Sequence, residues 1–112
     1  MNSEYENLRI KFPSRIPVIL HKMRGRCVRT EFKDDKYLVP KDLAIAHFMF
    51  ILRNRLKSKL KDTEAIFLFV KEESTENYSI PLSSDSFETL FEKFGFKDGH
   101  LPIYFASENT FG

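Results

Sequence analysis

Ala65-Ile66-Phe67-Leu68-Phe69-Val70 is an unbroken apolar run, bounded by the polar stretches Lys59 to Glu64 and Lys71 to Asn77. Its length is that of a strand, and the lack of a polar face predicts a central strand covered on both sides. Downstream, Tyr78 to Ile80 reads as a brief strand and Pro81 to Asp85 as punctuation. Ser84 or Asp85 is placed to cap a helix over about residues 86–94, where Phe87, Leu90, Phe91 and Phe94 recur at helical spacing. Gly95 and Gly99 end that helix, and Leu101 to Ala106 forms the last strand.

Upstream, Ile16, Val18 and Leu20 alternate with Pro17, Ile19 and His21, the period of a strand. The internal proline suits an edge or a strand start. Met23 to Asp35 is charged, contains Gly25 and lacks periodicity, so it reads as a long loop. Tyr37 to Val39 is a short second strand stopped by Pro40, and Asp42 is placed to cap a helix running from Leu43 to about Lys57. Arg53, Arg55 and Lys57 lie near its C-terminus, where cations suit the helix dipole. The order strand, strand, helix, strand, short strand, helix, strand is that of a β-grasp domain, an α+β fold with a mixed sheet packed against helices.

A length of 112 residues fits one domain over 1–112 with a single core. Hydrophobic content of 42%, with 12 Phe and no Trp, excludes a disordered chain and supplies large, shape-specific core side chains. No apolar run reaches the roughly 18 residues of a membrane span, and the N-terminus carries no signal region. The expectation is a cytoplasmic protein whose membrane attachment comes from a modification or a partner. The single cysteine, Cys27, fits a reducing compartment. Net charge of +2 hides a division: residues 1–61 hold 15 Lys and Arg against 6 Asp and Glu, and 62–112 hold 3 against 10. The halves attract each other when folded, and one surface is expected to be basic.

The first long helix carries more apolar surface than one core stripe needs. At about 100° per residue, Ile45, Met49, Leu52 and Leu56 form one stripe, with Phe48 and Ile51 roughly 60° to 120° round from it. Either the preceding strand and loop cover the second stripe within the monomer, or it forms a docking pocket in which Phe48 and Ile51 meet Tyr37, Val39, Pro40 and Leu43 beside Arg55.

Several stretches in chain order carry a resemblance: Arg15-Ile16-Pro17-Val18-Ile19, Lys36-Tyr37-Leu38-Val39-Pro40, Asp42-Leu43, Arg53 to Arg55, Ala65-Ile66-Phe67, Phe69-Val70 and Glu108-Asn109-Thr110-Phe111-Gly112. Together they resemble the GABARAP-like family of ubiquitin-like autophagy modifiers, which become linked to phosphatidylethanolamine. The resemblance implies that Gly112 is the acyl donor. Having no Cβ, glycine leaves its carbonyl open to nucleophilic attack. It implies a flexible conjugation tail over 107–112, activating and conjugating enzymes as partners, and a cysteine protease for processing or deconjugation. Autophagosomal or related membranes are the implied location after lipidation. It also implies two pockets for an aromatic-x-x-aliphatic motif of cargo receptors. The shallower is the Tyr37, Val39, Pro40, Leu43, Phe48, Ile51 and Arg55 set. The deeper, for the aromatic residue, maps onto Glu4, Leu8, Pro17, Ile19, Lys36 and Leu38, with the peptide added as a strand at Lys36 to Val39.

Three departures from the family stand out. Position 100 is His100 where the family has a phenylalanine closing the deep pocket, which predicts altered affinity or motif choice. The N-terminal helical extension, over 1–14, matches the second of the family's two short helices in Glu4 to Phe12, so tubulin binding attributed to the first is not carried over. Insertions near Lys57 to Asp62 and between Lys71 and Lys97 predict altered loops.

Other chemistry finds little footing. Cys27 lies among Arg24, Arg26 and Arg29 with no histidine or carboxylate assigned beside it, and His21, His47 and His100 lack ligand-like spacing. No glycine loop would cradle phosphate. The expectation is no enzyme, no metal and no cofactor. The basic stretch from Arg24 to Lys61 carries no nucleic-acid motif, so acidic flanks of partners or anionic lipid heads are the expected uses and nucleic acid is not. The alternatives are a modifier of proteins in place of lipid, a non-conjugated interaction module, and a basic nucleic-acid-binding domain.

Overall fold

The computed structural model describes residues 4–23, 35–55 and 64–109. The element order is α1 (Glu4–Lys11), β1 (Arg15–Lys22), β2 (Asp35–Pro40), α2 (Ile45–Arg55), β3 (Glu64–Lys71), β4 (Tyr78–Ser79), α3 (Phe87–Phe94) and β5 (Leu101–Asn109). The sheet runs β2-β1-β5-β3-β4, with β1 and β5 parallel and every other pair antiparallel. This is the predicted α+β ubiquitin-like architecture: two antiparallel edges flank an inner parallel pair. The expected loop over Met23 to Asp35, Cys27 within it, the helix end at Leu56 and Lys57, and the tail from Thr110 fall at least partly outside the described residues.

Alternation along β1 works as read. Ile16, Val18 and Leu20 enter the core with Ile103 and Phe105 of β5, Ile45, Phe48 and Leu52 of α2, and Phe87 and Leu90 of α3. Pro17 pairs with Leu38 of β2, while the ladder to β5 begins one residue later at Val18. A proline without an N–H therefore sits where that side of the strand has no ladder partner.

Three expectations are corrected. The apolar run in β3 is not the central strand; β5 is, and β3 lies second from the edge with β4 covering only Val70 and Lys71. Ile66, Leu68 and Val70 are buried on the helix face, while Phe67 on the other face is 38% exposed. A run apolar on both faces reflects a second face that is aromatic without being enclosed. The last strand also continues to Asn109, because Glu64 to Ile66 offer ladder partners to Ser107 to Asn109. The backbone is thus paired three residues beyond the boundary predicted for the tail.

The third correction concerns the helix caps. Asp42 does not cap α2, which begins at Ile45. The Ile45 N–H donates to the Asp85 carbonyl at 2.8 Å and the Ala46 N–H to the Ser83 carbonyl at 3.0 Å. In return, Phe87 N–H of α3 donates to the Leu43 carbonyl at 3.0 Å and Glu88 N–H to the Lys41 carbonyl at 2.8 Å. The two N-termini satisfy each other's orphan donors. Ser86, one residue past the expected pair, completes α3 by accepting from Thr89 N–H at 3.2 Å.

On the face of the sheet turned from the core, Tyr104 stacks on His21 with centroids 5.4 Å apart and meets Tyr78 edge-on at 5.1 Å. Lys71 donates from Nζ to the Thr75 carbonyl at 3.1 Å and lies 5.9 Å from the Tyr104 ring. Burial pushes the Tyr104 phenol above its ordinary value, with Tyr78 and Glu76 adding to the rise. The folded state therefore keeps a proton that the unfolded chain releases near pH 10. Tyr104's contribution to stability is complete below about pH 10 and falls as pH rises toward the folded value. Urea melts at pH 9 and pH 11 should show a smaller alkaline loss for Tyr104→Phe than for wild type. Equal losses would mean that Tyr104 does not carry this linkage.

Candidate functional site: an edge groove at β2

β2 closes one edge of the sheet, and its alternation sends neighbouring side chains to opposite faces. Tyr37 pairs with Val18 and shares its core-facing side. Its ring meets Phe48 of α2 edge-on at 5.6 Å, and the Arg55 guanidinium lies 5.1 Å from its centroid. Val39 is buried, while Tyr37 and Leu43 pack partly buried against the core. Pro40 is half-buried and accepts the Leu43 N–H at 3.1 Å.

This arrangement resolves the surplus apolar surface of α2. Phe48 is 3% exposed and also meets Phe87 at 5.1 Å, so it belongs to the monomer's core. Ile51 is 39% exposed. The larger uncovered side chain is Phe50, 66% exposed, which the stripe argument overlooked. Helical angles rank residues around an axis, but only the positions of β2 and α3 decide where the cover ends. Met49, expected in the buried stripe, is partly buried and lines a separate apolar recess of about 120 Å³ between α2 and β3, with Ile45, Phe67, Ile80 and Pro81.

The deeper set lies on the other side of the same edge. Pro17 pairs with Leu38 and Ile19 with Lys36. Pro17 is buried, Leu8, Ile19 and Leu38 are half-buried, and Glu4 and Lys36 are exposed. His100 is 7% exposed. Its Nδ1 lies 2.5 Å from Asp98 Oδ1, and the His100 backbone N–H donates to the same oxygen at 3.2 Å. Tyr5 of α1 and Phe96 flank the ring, with centroids at 4.8 Å and 5.2 Å. The histidine thus fills an aromatic wall while Asp98 satisfies its polar edge.

Sequence reasoning missed four residues here. Tyr5 and Phe96 enclose His100, Asp98 binds it, and Arg15 donates from Nη1 to the Leu38 carbonyl at 3.2 Å. Only Asp98 left a local signal, an aspartate two residues before the backbone N–H it binds. The turn carrying these groups needs Gly99, whose φ is +100°. A Cβ there would also come within 3.1 Å of the Glu6 backbone nitrogen, so α1 rests directly on this glycine.

The family model described as "Autophagy protein Atg8 ubiquitin like" matches residues 1–112. The chain belongs to the Atg8 family. "Autophagy-related protein 8" of Mycosarcoma maydis is 37% identical over 110 residues, covering 98% of this chain and 86% of that protein. The Schizosaccharomyces pombe protein of the same name is 36% identical, covering 98% and 84%. The crystal structure of Trypanosoma brucei ATG8 superposes with a TM-score of 0.75 at 29% identity, covering 97% of this chain and 86% of that one. The chain is accordingly a ubiquitin-like modifier of autophagy, in a family of modifiers known for conjugation to lipid. No helix among the described residues is long and apolar enough to cross a membrane.

Proposed function

We propose that this member of the Atg8 family acts as the GABARAP-like members do: Gly112 is activated, passed between enzyme cysteines as a thioester and joined to the amine of phosphatidylethanolamine. The membrane-bound domain then recruits receptors bearing an aromatic-x-x-aliphatic motif. Activating and conjugating enzymes, a processing or deconjugating cysteine protease, and autophagosomal or related membranes complete the proposed partners.

The observation that supports the adaptor role is the terminal strand β2 with Tyr37, Phe48 and Arg55 gathered on one side and Leu38 beside Pro17 on the other. A peptide strand added to this edge finds backbone partners, and its alternate side chains reach the two sides. Acidic residues flanking the motif meet Lys36 and Arg55.

A peptide carrying the motif with acidic flanks should bind with micromolar-range affinity in titration calorimetry. Tyr37→Ala combined with Leu38→Ala should weaken it by about 1 kcal/mol or more. Undiminished binding by a folded double mutant would move the groove elsewhere.

A further inference from the structure

We infer that Tyr5 is a built-in occupant of the deep pocket, an aromatic side chain of the protein itself that an incoming motif must displace. The inference rests on the groove reading above and adds a competitor to it. His100 has no free side for a ligand: Tyr5 covers it at 4.8 Å, Phe96 at 5.2 Å and Asp98 holds Nδ1, leaving the side chain 9% exposed. A motif ring that packs on His100 must therefore replace one of these neighbours. Phe96 is fixed within its turn, where its N–H donates to the His100 carbonyl at 2.8 Å and its carbonyl accepts the Gly99 N–H at 3.0 Å.

Tyr5 is the replaceable one. It lies in the first turn of α1, an eight-residue helix with no buried residue. Helices this short are marginal in isolation, and their first turns fray at little cost. Further along α1, the Arg9 guanidinium sits 4.3 Å from the Phe91 centroid and Glu6 rests on Gly99. The helix can therefore stay attached while the Tyr5 side chain swings out. Exchange of one aromatic ring for another on the same wall gains little, so Tyr5 holds down motif affinity and favours rings that pack on histidine better than a phenol does.

The test is calorimetric titration of wild type, Tyr5→Ala and Tyr5→Phe with one aromatic-x-x-aliphatic peptide. NMR contacts between the Tyr5 and His100 rings are followed in wild type. Tyr5→Ala should bind about 2- to 10-fold more tightly, the range spanned by one aromatic pair contact. Tyr5→Phe should match wild type, and saturating peptide should abolish the Tyr5 to His100 contacts. Unchanged or weaker binding by Tyr5→Ala, or ring contacts that persist in the complex, overturns the inference while the groove reading stands. No binding by wild type or either variant sinks the groove reading and the inference together. Should Tyr5→Ala lose its fold, the ring contacts in wild type decide the matter.

Discussion

Gly112→Ala is expected to cut formation of the phosphatidylethanolamine adduct by about 100-fold, and deletion of Gly112 to abolish it. The acyl carbon must sit within attacking distance of a cysteine and then of an amine, and a misplacement of about 1 Å can cost that factor. An added Cβ beside the reacting carbonyl supplies such a displacement and crowds the path of attack. The assay combines the protein with its activating and conjugating enzymes, ATP and liposomes containing phosphatidylethanolamine. Adduct formation by the deletion mutant at the wild-type rate would remove Gly112 from the chemistry. Transfer to a protein amine in place of the lipid would favour the protein-modifier alternative.

Phe48→Ala is expected to lower unfolding free energy by about 3 to 5 kcal/mol, the cost of emptying a large aromatic site in a packed core. Ile51→Ala should cost about 1 kcal/mol or less, because much of that side chain is already in water. Helical angles put both residues on the second apolar stripe and the family resemblance placed them in one pocket; the structure buries Phe48 and leaves Ile51 39% exposed. Phe48 is held between Tyr37 and Phe87, so its removal disturbs β2, α2 and α3 at once. Chemical denaturation of the two variants measures the contrast. Equal losses would show that Phe48 does not carry the packing its burial implies, and motif affinity measured on folded Ile51→Ala reports the pocket without the stability penalty.

Much of the architecture was legible because periodicity is local. The alternation of Ile16, Val18 and Leu20 named the buried face of β1, and the spacing of Phe87 and Leu90 named that of α3. Both rest on geometry repeated every two residues or every 3.6. The motifs from Arg15 to Pro40 and from Glu108 to Gly112 pointed to the family before any fold was known, because recognition needs residue identity and order alone.

Contacts between distant segments were not legible. Asp42 looked like a cap because capping residues are read from neighbours, yet the carbonyls that satisfy α2 come from Ser83 and Asp85 across the core. The Ala65 to Val70 run looked central because strand order cannot be read from composition, and the backbone pairing of β5 with β1 and β3 gave the centre to β5. The same holds at the candidate site. His100 was visible as a departure from an aromatic position, but its meaning was not. Tyr5 lies 95 positions earlier in the chain, and only folding α1 onto Gly99 brings its ring against the histidine. The sequence determined which side chains could form a groove. Packing between segments far apart in the chain decided which became core, which remained exposed and which came to lie against His100.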